Sequence, residues 1–102
     1  MSRERVLAAV ENLVAHLRES GEADVGRRLE SLAADFRADP RHGLTQLLGL
    51  FGGAGSFNDL VLHDDGVALH DENTELDQRR QQLHAALMDP ELRRWLSSLG
   101  DE

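Results

Sequence analysis

With 102 residues, 40% of them hydrophobic and 29% charged, the chain is long enough to bury one core and too short for two independent ones. Eleven basic residues, every one an arginine, face 19 acidic residues for a formal net charge of −8, which disfavours long-range attraction to nucleic acid or an anionic membrane. The sequence holds no cysteine, so disulfides, thiolate zinc sites, iron–sulfur clusters and a cysteine nucleophile are excluded.

Apolar residues at Val6, Leu7, Val10, Leu13, Val14 and Leu17 recur at helical spacing between a capping Ser2 and Gly21, predicting a helix over about residues 3–19. No apolar run approaches the roughly 20 residues of a membrane helix. The opening Met1-Ser2-Arg3-Glu4-Arg5 leads into this amphipathic segment and not into a signal-peptide core, so the expected location is cytoplasmic. Val25, Leu29, Leu32, Ala33 and Phe36 predict a second helix over about 23–37. Asp39-Pro40 stops it and opens a third, with Asp as N-cap and Pro as first helical residue. That helix carries Leu44, Leu47, Leu48, Leu50 and Phe51 into Gly52-Gly53-Ala54-Gly55-Ser56, where backbone entropy ends it.

Beyond the glycines the pattern changes. Residues 57–63 and 67–70 flank Asp64-Asp65-Gly66, and Asp-Gly is a strong hairpin signal. Helical spacing resumes at Leu76, Leu83, Ala86 and Leu87, with Asn73 or Thr74 as the expected cap, and Asp89-Pro90 opens a last helix presenting Leu92, Trp95, Leu96 and Leu99. The predicted fold is a mostly helical α+β domain in the order ααα-ββ-αα, one β-hairpin packed against helices. A single domain spans 1–102, with a helical part (1–51), a glycine loop and hairpin (52–72) and C-terminal helices (73–102).

Gly52-Gly53-Ala54-Gly55-Ser56-Phe57-Asn58-Asp59-Leu60, followed by Asn73, Leu76-Asp77, Arg80 and Leu83, resembles a family of small bacterial proteins whose domain has no known function. The resemblance covers about a third of the chain and leaves the first two helices outside. It implies a shared fold for the hairpin and the helix after it, and no reaction. Arg79 stands where the family pattern has leucine and His84 where it has an aromatic residue. Some proteins of this kind are linked by association to toxin-neutralising immunity functions.

Several residue sets could carry chemistry. The glycine loop could form an anion nest, but it joins a helix to a strand and the chain has no lysine to close a P-loop, so it reads as a connector. Asn58 and Asp59 precede an apolar strand; the favoured reading is a structural anchor, with Asp59 bonded to Arg80 or to glycine-loop N–H groups, and the alternative is a general base in a small hydrolase or ligand-binding enzyme. A two-residue Asp65-Gly66 turn places His63 opposite Ala68 and Val61 opposite His70, so that Asp59, His63 and His70 share a face. That set is a conceivable metal triad, yet it has no evident supporting partners, and no metal or other cofactor is expected. Ser56 lies in no nucleophile elbow.

Charge is the clearest indication of function. Residues 52–102 hold four arginines and 11 acids, and seven acids with no arginine lie from Asp59 to Asp77. Such a run is a solvated face or a surface complementary to a basic protein. The leading expectation is a cofactor-free protein-binding module, with Ser56, Asn58, Asp59, Asp64, Asp65, Asp71 and Glu72 as binding residues. The apolar Leu60-Val61-Leu62 strand further leads to an expected homodimer through the hairpin.

Overall fold

The computed structural model describes residues 2–51, 57, 60–64 and 66–99. Helices α1 (Ser2–Glu19), α2 (Ala23–Ala38) and α3 (Pro40–Gly49) precede a two-stranded antiparallel hairpin, β1 (His63–Asp64) and β2 (Val67–Ala68), and helices α4 (His70–Leu87) and α5 (Pro90–Leu99) follow it. This is the predicted ααα-ββ-αα order.

Local chemistry fixes the helix ends. Ser2 is the first residue of α1 and not its cap. At the other end Gly21 takes a φ of +83°, and the Glu22 N–H reaches the Leu17 carbonyl at 2.7 Å while the Gly21 N–H reaches that of Arg18 at 3.3 Å. This paired reversal satisfies carbonyls that the helix leaves open, and it needs the left-handed conformation glycine adopts without penalty. Asp39 caps α3 as expected, its Oδ1 accepting from the His42 N–H at 3.4 Å with Pro40 in the first turn. Asp89 repeats the device at α5, accepting from the Glu91 N–H at 3.0 Å.

α1 lies at the centre. It packs on α2, α4 and α5, and α3 bridges α2 and α4. Val6, Val10, Leu13 and Leu17 point inward from α1 against Leu29 and Phe36 of α2, Leu47 of α3 and Leu76, Leu83 and Leu87 of α4, in one continuous core. The α2–α3 contact is closest at Gly43. A Cβ there would stand 2.6 Å from the Phe36 nitrogen and 2.7 Å from the Phe36 Cβ, and closer still to its Cα. Arg41, the second residue of α3, donates to the Leu96 carbonyl at 3.1 Å and ties the last turn of α5 to the body.

The hairpin has the predicted register, His63 opposite Ala68 and Asp64 opposite Val67, but each strand is two residues long and all four residues are exposed. Strand residues 57–63 and 67–70 are a correction. The pairing continues only as far as a bond from the Leu69 N–H to the Leu62 carbonyl at 3.0 Å, because Leu69 then turns out to cap α4, its own carbonyl accepting the Asn73 N–H at 2.9 Å. The cap expected at Asn73 or Thr74 is thereby displaced. Leu69 offers no capping side chain, and Asp71 and Glu72 place negative charge in the first turn, where it suits the helix dipole. Thr74 turns its hydroxyl back to the His70 carbonyl at 3.0 Å, an interior-helix bond.

Candidate functional site

The side chain released from capping duty holds the chain entering the hairpin. Asn73 Oδ1 accepts from the Leu62 N–H at 2.7 Å and its Nδ2 donates to the Leu62 carbonyl at 3.1 Å, so one carboxamide replaces a neighbouring strand. Leu62 is thus pinned with its side chain fully buried while Val61 beside it stays 46% exposed. Replacing Asn73 by alanine leaves both backbone groups without that partner and is expected to cost about 1–3 kcal/mol in a urea titration. Asn73→Asp keeps the acceptor but loses the donor and is expected to fall between alanine and the native protein.

Two turns on, Arg80 holds the segment upstream. It is only 8% exposed, and its Nη1 donates to the carbonyls of Phe57 at 2.9 Å and Leu60 at 3.1 Å, while Nη2 bonds the Asp77 carboxylate. Its guanidinium also lies 5.7 Å from the centre of the Phe57 ring, within cation–π range. Phe57 in turn meets the edge of Phe51 at 6.2 Å, and Phe51 meets the His84 ring at 5.0 Å. His84 thereby joins the ring contacts that link α4 to the Phe51–Phe57 pair. Arg79 bonds Glu75 and donates to the Asn12 carbonyl of α1 at 2.9 Å. The arginine thus joins α4 to α1 through a hydrogen bond while its stem packs along the helix.

Phe51, Asp77, Arg80, Gln81, His84 and Ala85 line an open cleft of about 330 Å³. Within it the Asp77 carboxylate is committed to Arg80 and the His84 ring to Phe51. The buried histidine, His16 on α1, donates from Nε2 to the Glu72 carbonyl at 2.9 Å, joining α1 to the first turn of α4.

Of the predicted binding residues, Ser56, Asn58, Asp59 and Asp65 lie outside the described residues, as do the glycine nest and the Asp59–Arg80 pair. Asp64 and Asp71 are exposed and Glu72 is half-buried. Asp64 closes β1, and the two others open α4. The conceivable metal face is not formed as drawn: His63 is on the hairpin, whereas His70 is the first residue of α4, so Val61 has no strand partner there. No group of three or more metal-ligating side chains occurs among the described residues. Sequence reasoning missed the Asn73 clamp, although an asparagine eleven residues after an apolar strand was the available signal.

Fold and clamp together define a small, mostly helical α+β protein in which one helix, α4, grips an extended segment through Asn73 and Arg80. Residues 18–70 match the model of a family described as a domain of unknown function, DUF6966, and the chain belongs to that family. The match takes in α2 and α3 as well as the hairpin, so the second helix, placed outside the resemblance by the sequence motif, is inside the family domain. No curated protein and no solved structure matches the chain. No helix is long and apolar enough to cross a membrane among the described residues.

Proposed function

We propose that the chain is a cofactor-free protein-binding module that engages a basic protein through the acidic surface at the hairpin and the start of α4, an immunity-type inhibitor of a basic toxin being one form of that role. The observation that carries the reading is a division among the acids. Glu75 and Asp77 are neutralised by Arg79 and Arg80, whereas the side chains of Asp64, Asp71 and Glu72 form no ion pair among the described residues. Next to them Val61 and Val67 are 46% and 67% exposed. Unpaired acids around exposed β-branched residues supply both halves of a protein interface, long-range steering and an apolar contact.

The test uses the protein encoded by the neighbouring reading frame as ligand in surface plasmon resonance. Substituting Asp64→Asn, Asp71→Asn and Glu72→Gln together is expected to slow association at least tenfold at low salt. The same native complex should associate more slowly as salt is raised. A partner whose association rate ignores both the triple substitution and the salt concentration would refute the acidic-face reading.

A further inference from the structure

The outward face of α4 is unlike the rest of the surface. From Thr74 through Gln78, Gln81, Gln82 and Ala85 to Met88, six exposed side chains follow one another along the helix without a charge, in a chain of which 29% is charged. Acids bound the stretch at both ends, Asp71 before it and Asp89 after it. Met88 is 46% exposed despite its size. On the flank towards α1 the face continues into a shallow groove of 520 Å³, where Ala8, Ala9 and Asn12 face Gln78 and Gln82. The one charge in that groove, Arg5, is already bonded to Asp89 at 3.4 Å.

We propose that this face of α4 binds a second copy of the same chain, forming a two-fold dimer in which the two α4 helices cross antiparallel. Charge selects the occupant. Two molecules of net charge −8 repel across the hairpin and the start of α4, and the α4 face lets them approach without placing acid against acid. Chemistry selects it too, because a two-fold interface presents each residue type to its own copy or to a symmetry-related position. Carboxamides satisfy that demand: each offers donors and an acceptor, so Gln81 and Gln82 can pair with Gln82 and Gln81 of the second copy around the axis. The spacing is close to symmetric about that point. With the axis between residues 81 and 82, Gln78 falls opposite the small Ala85 of the other copy, and Thr74 and Met88 come within one residue of facing each other at the ends of the contact. The contact then runs along about 21 Å of helix, from a rise of ~1.5 Å per residue. The dimer interface is thereby moved from the hairpin to α4, and the acidic surface stays free for another partner.

Sedimentation equilibrium on the full chain, over a concentration range from micromolar to millimolar, tests the proposal. The native chain is expected to dimerise. Ala85→Arg places a bulky cation opposite Gln78 of the other copy and is expected to weaken association at least 100-fold. Gln81→Glu, an exposed helix-compatible change that circular dichroism should find folded, sets like charges together at the axis and is expected to weaken it at least tenfold at low salt. Val67→Glu on the hairpin should leave the dimer unchanged. A native chain that stays monomeric throughout overturns the proposal, as does a dimer that survives both α4 substitutions or one that only Val67→Glu dissociates.

Discussion

Replacing Arg80 by methionine is expected to lower the stability of the chain by about 2–4 kcal/mol, among the largest losses any single substitution in it should produce. Methionine preserves much of the buried stem, so the loss isolates the guanidinium. Removing it leaves the Leu60 carbonyl without its Arg80 donor and the Phe57 carbonyl with only the Leu60 N–H at 3.2 Å. It also takes away the cation lying against the Phe57 ring. For a domain of this size each kcal/mol corresponds to roughly 4–8 °C in melting temperature, so a fall of about 10 °C or more is expected in a calorimetric scan. Asp77→Asn is the comparison that separates the two halves of the clamp. The Asp77 side chain is 59% exposed, and loss of an ion pair with so exposed a partner should cost under about 1 kcal/mol. Lysine at position 80 keeps the charge but lacks the planar fork that serves two carbonyls and a carboxylate at once, so Arg80→Lys should recover only part of the loss. A methionine variant as stable as the native chain would mean that the two carbonyls are satisfied without the guanidinium.

The same clamp marks the boundary between what the sequence discloses and what it withholds. Helices α1, α2 and α3 are legible because their apolar residues fall at a 3.6-residue period and their ends carry local chemistry, Gly21 for a left-handed reversal and Asp39-Pro40 for a stop and a start. The hairpin register is legible for a similar reason, since a two-residue Asp65-Gly66 turn fixes which residues face each other. Its length is not. Whether Leu69 extends a strand or caps a helix depends on what bonds Leu62, and that partner is the side chain of Asn73, eleven residues away. Read alone, Asn73 is a good helix cap; in the fold the same carboxamide is drawn to a more valuable pair of backbone groups, and the helix begins four residues earlier. The candidate site follows the same division. The acidic run is visible in composition, but which of its members are neutralised depends on arginines placed three and four residues along α4, where Arg79 meets Glu75 and Arg80 meets Asp77. Only Asp64, Asp71 and Glu72 among the described members are left without such a neighbour, and that distinction comes from the helix and not from the count of charges.

Gly43→Ala should likewise cost about 2–4 kcal/mol, with a sign that local propensity alone would reverse. Inside a helix, alanine is favoured over glycine by roughly 1 kcal/mol, so a freely exposed position would be stabilised by the exchange. Gly43 is buried where α3 crosses α2, and an added Cβ would meet the nitrogen of Phe36 at 2.6 Å and its Cβ at 2.7 Å. These are backbone atoms and the root of a side chain, which no rotamer change can move aside. The helices must separate, and the separation loosens Phe36, which is wholly buried, and Leu47 on the next turn of α3. Overpacking of a well-filled core costs about 1–3 kcal/mol, and lost contacts around a large aromatic side chain add to it. Gly26 of α2 supplies the control. A Cβ there would sit 3.6 Å from Arg18 and 3.7 Å from Val14, ordinary van der Waals distances, so Gly26→Ala should be neutral or stabilising by up to about 1 kcal/mol. Paired urea titrations of the two variants measure the difference. If Gly43→Ala proved as stable as Gly26→Ala, α2 and α3 would have to lie farther apart than the Phe36–Gly43 contact requires.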